Sequence, residues 1–310
     1  MVADCHMHMI LDGVDWKNAI RRHENGPDIP WIRAQLAIYQ SQGYTYLRDG
    51  GDRWGAGAAA RAIAHEYGIE YRTPLAPLCQ EGHYGGFIGL TYRNMGEYAQ
   101  LVQGMIDGEW IATCRMPAGP MWASAPTKGE LTGADFIKIM ISGLMDFHQF
   151  GKLTLPSLPS DHIRELIHIA HDMGMAVMAH ANGPEAVIAA AEAGVDSVEH
   201  GAYLNEEALS AMAENGVVWV PTVSTVANLR GKDRFPEDQV EKILECNLSN
   251  VVAFHEMGGL LAPGSDAGAW SVPHGANTEY DLLTGVGVTE AALDRGAAVI
   301  QRKFKREDAI

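Results

Sequence analysis

The feature that most constrains the fold is a regular alternation of short apolar runs with amphipathic stretches of helical period. Eight runs predict strands, at Val2–His8, Tyr44–Asp49, Glu70–Leu78, Phe136–Ser142, Ala176–Ala181, Ser197–Gly201, Val217–Val223 and Leu260–Asp266. The intervening stretches predict helices, at Asp28–Gln42, Ala56–Tyr67, Met95–Asp107, Ser160–Met173, Pro184–Ala193, Asn205–Asn215 and Pro236–Met257. Eight strand–helix units in 310 residues are typical of an α/β protein with a (β/α)8 TIM barrel.

A doubly wound open sheet is the alternative architecture for the same alternation. Such sheets usually carry a glycine-rich nucleotide loop after the first strand, and none follows Val2–His8. Gly50-Gly51 and Gly55–Gly57 follow the second predicted strand, but their spacing is not that of a dinucleotide fingerprint. The pattern therefore favours the barrel.

The extent of the strand–helix alternation, and the segment that interrupts it, predict the domain organisation. We expect one barrel over residues 1–300 and a polar C-terminal tail over 301–310. Residues 109–132 are rich in Pro, Gly, Met and Trp, and separate a helix from the next strand where about 2–6 residues are usual. We interpret them as an insertion, either folded onto its own barrel or presenting a Trp/Met patch for self-association.

The net charge of the protein limits the kinds of partner that it can bind. Acidic residues number 39 and basic residues 23, giving a net charge of −16, which disfavours nucleic acid and anionic membranes. The residues after Met1 lack the basic start and apolar stretch of a secretory signal, and we expect a cytoplasmic protein acting on a small-molecule substrate.

Ligand-type side chains fall at the ends of the predicted strands. His6 and His8 lie two residues apart, so on a strand they share one face. His180, His200 and Asp266 each end a different strand. Because catalytic residues of barrels sit at the carboxyl ends of strands, these five side chains should converge on a metal site.

Lys138 is unusual because it lies inside an apolar run, Phe136-Ile137-Lys138-Ile139-Met140. One interpretation is a lysine that reaches the barrel end or pairs with an acid. The other is that burial lowers its pKa and the neutral amine captures carbon dioxide. The resulting carbamate is an anionic ligand with two oxygens, able to bridge two divalent metals about 3.5–4 Å apart.

These motifs, in this order, resemble the amidohydrolase superfamily, in its binuclear, carboxylated-lysine type. Within it the chain is most similar to the branch of prolidase-like and carboxypeptidase-like enzymes and imidazolonepropionase relatives. The matching segments are Asp4-Cys5-His6-Met7-His8, Ala134–Met140, Met178–Gly183, Val198-Glu199-His200-Gly201 and Ala262–Asp266.

The resemblance implies a role for each ligand. His6, His8 and Asp266 would hold the more buried metal, His180 and His200 the more exposed one, and carboxylated Lys138 would bridge them. The implied cofactors are two divalent ions, with Zn²⁺ preferred. The implied nucleophile is a metal-bridging hydroxide, with Asp266 as general base and then acid.

Loop residues are the candidate substrate contacts. The resemblance places His83 and His274 in loops that border the substrate, and His83 is a candidate for holding an oxyanion or a substrate carboxylate. Its alternative is a loop histidine bonded to backbone. Further candidate contacts are Tyr84, Tyr203, Arg230 and Trp270; a surface arginine is the alternative for Arg230.

The resulting functional hypothesis is a metal-dependent hydrolase cleaving an amide C–N bond of an N-acyl amino acid, dipeptide or cyclic amide. The alternatives are a mononuclear deaminase, a lactone or ester hydrolase, and a non-catalytic barrel relative. Deaminases of the superfamily usually have a glutamate shortly after the strand-five histidine, whereas Glu185 follows His180 by five residues. Relatives also carry a small β-sandwich that is not apparent here, so we expect either a member of the superfamily without that domain or a sequence whose ends are missing. Bare barrel ends would favour a homo-oligomer.

Overall fold

The computed structural model describes residues 2–109, 133–269 and 271–305. Its strands are β1 (Ala3–Met7), β2 (Tyr46–Asp49), β3 (Glu70–Arg72), β4 (Leu78–Gln80), β5 (Leu90–Tyr92), β6 (Ile137–Met140), β7 (Val177–Ala181), β8 (Ser197–His200), β9 (Val218–Val220) and β10 (Leu260–Leu261). Its helices are α1 (Trp16–His23), α2 (Ile29–Ser41), α3 (Ala56–Ala64), α4 (Met95–Asp107), α5 (Ser160–Asp172), α6 (Pro184–Glu192), α7 (Glu206–Glu214), α8 (Ser224–Ala227), α9 (Glu237–Glu256), α10 (Thr278–Gly285) and α11 (Glu290–Lys303).

The strands form two parallel sheets, with orders β1-β2-β3 and β10-β9-β8-β7-β6-β4-β5. β3 belongs to the first sheet because it pairs with β2, and β4 belongs to the second because it pairs with β6. The short chain segment between β3 and β4 therefore connects the two sheets. On the other side, the segment after β10 lies against β1. There Cys5 donates its N–H to the Pro263 carbonyl at 2.8 Å, and Asp266 donates to the His6 carbonyl at 2.6 Å. The fold is thus α/β, with parallel sheets as expected.

Each of the eight predicted strands contains strand structure, but the third is split. Residues Pro74 and Pro77 interrupt the run Glu70–Leu78, and Leu75 between them has a φ of 65°. A proline cannot donate to a ladder, so β3 ends before this segment and β4 begins after it. The short elements β5, α1, α8 and α10 were not predicted, because few residues in each carry a periodic pattern.

The predicted helices are confirmed to within a few residues. Gly174, Gly194 and Gly216 follow α5, α6 and α7 with φ angles of 76°, 81° and 65°. This left-handed conformation is common directly after a helix and suits glycine. The short turns that result return the chain to the next strand, so that the carboxyl ends of β6 to β9 lie side by side.

The last helix of the structure spans residue 300, the expected end of the barrel. Helix α11 continues to Lys303, and the Phe304 side chain is fully buried. Its ring packs edge-on against Phe136 at 5.2 Å, and the Arg48 guanidinium lies 4.4 Å from it. These contacts pack the end of α11 into the protein interior, while the barrel over 1–300 and the tail over 301–310 remain predictions.

The expected insertion at 109–132 lies, apart from Glu109, outside the described residues. In the part of the chain that is described, no helix has both the length and the apolar character needed to cross a membrane.

Candidate metal centre

A cavity of about 300 Å³ opens at the carboxyl ends of the strands. All six ligand-type side chains singled out in the sequence line it, namely His6, His8, Lys138, His180, His200 and Asp266. They come from β1 and the residue that directly follows it, from β6, β7 and β8, and from the segment after β10. The parallel arrangement thus brings together residues that are up to 260 positions apart in the chain.

The tightest group consists of His6, His8 and Asp266, which offer ligand atoms within 4.8 Å of one another. Asp266 Oδ1 lies 3.2 Å from His8 Nε2 and 3.7 Å from His6 Nε2. All three residues are buried. Two imidazoles and one carboxylate around a common point are a ligand set that suits zinc and related divalent ions.

His180 and His200 form a second group beside the first. Their ring centroids are 4.5 Å apart, and the His200 ring is 5.0 Å from that of His6. His200 Nδ1 lies 2.8 Å from Thr222 Oγ1, whereas His180 Nε2 lies 3.3 Å from the Gly143 carbonyl. One nitrogen of each ring is thereby held by the protein, and the other is left for a ligand.

Burial keeps three imidazoles of this centre neutral, those of His6, His180 and His200. It lowers the pKa of His180 to about 3 and the pKa values of His6 and His200 well below their usual range, and the nearby Lys138 charge adds to each effect. Because a metal binds the unprotonated nitrogen, these histidines need lose no proton near neutral pH.

Lys138 is only 1 % exposed, and its Nζ has no hydrogen-bond partner among the described residues. Burial lowers the pKa of Lys138 to about 8, although the charges of Glu199, Asp266 and Asp49 oppose this shift. A substantial fraction of this amine is therefore neutral under mildly alkaline conditions. Of the two forms of the alternative interpretation, Lys138 does lie at the cavity, but its Nζ makes no hydrogen bond to an acid in the described part of the chain.

Buried polar atoms without a hydrogen-bond partner indicate whether the site fits a divalent cation. His6 Nε2, Asp266 Oδ1 and Lys138 Nζ are buried without a hydrogen-bond partner in the described part of the chain. Buried polar atoms normally have a partner, and leaving one unsatisfied costs about 1–3 kcal/mol. Because two of these atoms point at one another across 3.7 Å, they fit a cation between them.

Two buried charged residues, Glu199 and Arg48, lie on the Nδ1 side of the His6 ring. His6 Nδ1 lies 2.8 Å from Glu199 Oε2. The other oxygen, Oε1, accepts a hydrogen bond from Arg48 Nη2 at 2.8 Å, and Arg48 also donates to Ser197 Oγ at 2.9 Å and to the Cys5 carbonyl at 2.6 Å. The sequence analysis did not identify Glu199 or Arg48 as site residues.

Backbone geometry explains why Glu199 was missed. Along a regular strand, Glu199 and His200 would point to opposite faces. His200 has a φ of 69°, so the alternation ends there, and both residues lie near His6. Asp266 is likewise left-handed, with a φ of 54°. Such conformations are strained for residues other than glycine and concentrate at functional sites.

Two glycines leave the space that the histidines occupy. A Cβ added to Gly50 would overlap the His8 ring, and one added to Gly264 would lie 2.9 Å from both His6 Cβ and the His6 backbone nitrogen. Neither glycine needs a positive φ, so the requirement is one of space alone.

Comparison with known proteins agrees with this centre. The family model described as "Amidohydrolase family" matches residues 127–286, which is just over half of the chain. The chain belongs to the amidohydrolase family. The matched range contains Lys138, His180, His200 and Asp266, whereas His6 and His8 precede it.

Curated relatives in sequence include ochratoxinase of Aspergillus niger, 31 % identical over 236 residues, which cover 72 % of this chain and 47 % of the relative. An uncharacterised protein of Mycobacterium tuberculosis is 30 % identical over 148 residues, 46 % of this chain and 40 % of the relative. The chain thus spans less than half the length of these curated relatives.

Solved structures agree with the amidohydrolase fold. A. niger ochratoxinase has a TM-score of 0.70 at 20 % identity, with 98 % of this chain and 71 % of that chain covered. A Xaa-Pro dipeptidase with bound methionine has a TM-score of 0.67 at 22 % identity, with 97 % and 75 % covered. At these identities the likeness shows the fold alone.

Of the predicted substrate contacts, the structure brings Tyr84 to the candidate metal centre. Tyr84 lines the cavity, and its ring centroid lies 4.8 Å from that of His180. His83 is half-buried in the loop after β4, outside the cavity lining, and donates its backbone N–H to the Gln80 carbonyl. Its catalytic role remains a prediction.

Of the four remaining predicted contacts, the three that the structure describes also lie outside the lining. Tyr203 is half-buried and packs against Phe150 at 5.2 Å. Arg230 is exposed and pairs with Glu241 at 2.5 Å, which fits its surface alternative. His274 is buried, with Nε2 2.8 Å from the Leu11 carbonyl and Nδ1 close to a tyrosine hydroxyl. Trp270 lies outside the described residues.

Several lining residues were not predicted, and most are apolar. They include Leu11, Val14, Trp16, Phe87, Leu144 and Met145, together with Arg234. Apolar loop residues carry no spacing signal for a site, because the same residues in a loop more often cover the core. Arg234 lies four positions from Arg230, so the choice between the two depended on the path of the loop.

Proposed function

We propose that this chain is a metal-dependent hydrolase that cleaves an amide C–N bond, carried on a closed (β/α)8 barrel. The observation that carries the proposal is the convergence of His6, His8 and Asp266, with buried unsatisfied atoms facing one another. Family membership supports hydrolytic chemistry. The hydrogen bonds between β1 and the Pro263–Asp266 segment support closure of the barrel.

The proposal includes a second metal and a carboxylated lysine. His180 and His200 lie beside the first group with one ring nitrogen each left for a ligand. Lys138 is buried, unpartnered and partly neutral, so its amine attacks carbon dioxide, forms a carbamate and releases a proton. Carboxylation thus converts a buried amine that lacks a hydrogen-bond partner among the described residues into an anion that lies among the histidines.

When bound, two divalent ions, preferentially Zn²⁺, would lower the pKa of a water molecule and polarise the scissile carbonyl. The protein's own contribution is to fix the ligands and to move the proton. Asp266 lines the cavity and has two carboxylate oxygens, so that while Oδ1 faces the proposed cation the other oxygen accepts the proton of the attacking water and passes it to the leaving nitrogen. His83 remains the proposed group for the oxyanion or a substrate carboxylate.

The proposed substrates are N-acyl amino acids, dipeptides or cyclic amides. The names of the similar proteins, ochratoxinase and Xaa-Pro dipeptidase, support this range without selecting one member. A mononuclear deaminase is disfavoured, because Glu185 is exposed in the first turn of α6 and does not line the cavity.

The test is a screen of the metal-loaded protein against N-acyl amino acids, dipeptides and cyclic ureides, with lactones and aminopurines as comparison substrates. We expect release of a free amine from at least one amide substrate, and loss of that activity on chelation. Hydrolysis confined to lactones, ammonia release from an aminopurine, or no turnover with the metal fully bound would each overturn the proposal.

A further inference from the structure

Three aromatic rings form a continuous line from the metal centre to the mouth of the cavity, and we call them the aromatic wall. Tyr84 stands 4.8 Å from the His180 ring, Phe87 stands 5.8 Å from Tyr84, and Trp16 meets Phe87 edge-on at 5.5 Å. All three line the cavity. The wall therefore begins at a proposed metal ligand and ends at the surface.

The outer end of the aromatic wall is unusually exposed for apolar residues. Trp16 is 45 % exposed, and the neighbouring Val14 is 84 % exposed. Leaving such surface in water is unfavourable, and burying it against a ligand is favourable in proportion to the area covered. Leu11, Leu144 and Met145 extend the same apolar character around the cavity.

The loop that presents this surface is held in place rather than loose. Gly13 donates to the Gly268 carbonyl at 2.7 Å and accepts from the Ser271 backbone nitrogen at 3.0 Å. Asp12 Oδ1 accepts from the backbone nitrogens of Val14 and Asp15 at 2.9 and 3.0 Å. Asp15 in turn caps the helix that begins at Trp16. A fixed, exposed apolar surface is a preorganised binding surface.

We propose that the aromatic wall is a subsite for an aromatic ring of the substrate, so that the preferred substrates are amides carrying an aryl group next to the scissile bond. This deepens the proposed function and rests on it. The wall is continuous with a cavity of about 300 Å³, which accommodates a single small molecule rather than a folded partner. Its inner end at Tyr84 places a bound ring beside His180.

The test compares three substrates in the zinc-loaded protein: N-acetyl-L-phenylalanine, N-benzoyl-L-alanine and N-acetyl-L-alanine. The two aryl substrates cover the two sides of the scissile bond. We expect Trp16→Ala and Phe87→Ala to lower kcat/KM for at least one aryl substrate by about tenfold or more, and to change that for N-acetyl-L-alanine by less than about twofold.

Phe150→Ala is the matched control, because Phe150 is also 45 % exposed but does not line the cavity. It should leave the substrate ratio unchanged. A wild-type protein without preference for the aryl substrates, or an equal loss on all three in Trp16→Ala with metal content retained, would overturn the subsite.

The subsite and the proposed function fail in different ways. If the wild type hydrolyses none of the three, the proposed function loses support, and the wall is then tested by calorimetric binding of N-acetyl-L-phenylalanine and N-acetyl-L-alanine. Tighter binding of the aryl compound that is lost in Trp16→Ala supports the subsite. Equal binding of the two compounds overturns it.

Discussion

His6 Nδ1 lies 2.8 Å from Glu199 Oε2 in the interior of the protein, and both side chains are fully buried. A carboxylate beside Nδ1 favours the tautomer with its proton on that nitrogen, which leaves Nε2 free on the side of Asp266. Arg48 balances the charge of Glu199 through its 2.8 Å hydrogen bond. The contacts from Arg48 to Glu199 and from Glu199 to His6 Nδ1 therefore fix the orientation of the His6 ring, a proposed metal ligand.

Glu199→Gln should weaken metal binding without removing a ligand. A carboxylate that holds a ligating histidine typically contributes about 10–100-fold in metal affinity, so we expect the zinc dissociation constant to rise by that factor. Competition with a chromophoric chelator measures this change. The ¹⁵N shifts of the His6 imidazole in the metal-free protein should also show a loss of the single Nδ1-protonated tautomer.

Glu279→Gln is the control for this variant, because Glu279 is buried and accepts backbone hydrogen bonds from Val223 and Ser224 without contacting a proposed ligand. It should leave the zinc affinity and the His6 tautomer unchanged. Equal affinities in wild type and Glu199→Gln would contradict the positioning role.

Gly50→Ala should displace His8. The added Cβ overlaps the His8 ring, and overpacking of this kind typically costs about 1–3 kcal/mol. We expect a loss of bound zinc together with a lower free energy of unfolding. Gly104→Ala is the matched control, since its Cβ meets nothing within 4 Å inside helix α4. If Gly50→Ala retained the wild-type zinc content, the fit between Gly50 and His8 would not matter for the centre.

The candidate metal ligands were predictable because they are histidine and aspartate residues at or near the ends of predicted strands. Parallel pairing places the carboxyl ends of β6, β7 and β8 side by side, which brings Lys138, His180 and His200 together. Asp266 lies beyond β10 and reaches His6 through the backbone hydrogen bonds between that segment and β1. Glu199 was not predictable, because its contact with His6 depends on where the strand alternation ends at His200.

The substrate side was less predictable than the metal side. Its lining depends on how loops such as Asp12–Trp16 and Tyr84–Ile88 fold against one another. No residue spacing encodes those contacts. His274 illustrates the difficulty, because its backbone and tyrosine contacts give it a packing role that the sequence alone does not separate from substrate binding.

Lys138→Ala should abolish metal binding and turnover, because it removes the side chain that is proposed to bridge the two metals as a carbamate. Short carboxylic acids such as acetate or propionate should partly restore both, since they supply two oxygens to the space left by the side chain. Metal content and amide hydrolysis with and without added acid provide the measurement. Lys242→Ala, an exposed lysine paired with Asp238, is the control and should behave as wild type. Full activity in unrescued Lys138→Ala would end the bridging hypothesis.

The buried Glu279 should make stability depend on pH. Burial raises the pKa of Glu279 from 4.5 to about 8, so the folded protein keeps a proton that the unfolded chain loses. Its contribution to the free energy of unfolding is therefore greatest below about pH 4.5 and is lost as the pH rises toward 8.

Urea unfolding of the metal-free protein at pH 5 and pH 8 measures this effect. Glu279→Gln should show a smaller fall in the free energy of unfolding between the two values than wild type, because its side chain cannot ionise. Glu245→Gln, at an exposed position on α9, should fall as wild type does. The same fall in all three proteins would show that Glu279 does not titrate as its burial implies.

The metal content of the protein purified from cells supplied with zinc and bicarbonate tests the central claim most directly. The proposed binuclear centre of six side chains predicts about two equivalents of zinc per chain, measured by elemental analysis. A protein that holds no metal under these conditions, or never more than one ion, would contradict the binuclear centre built around Lys138.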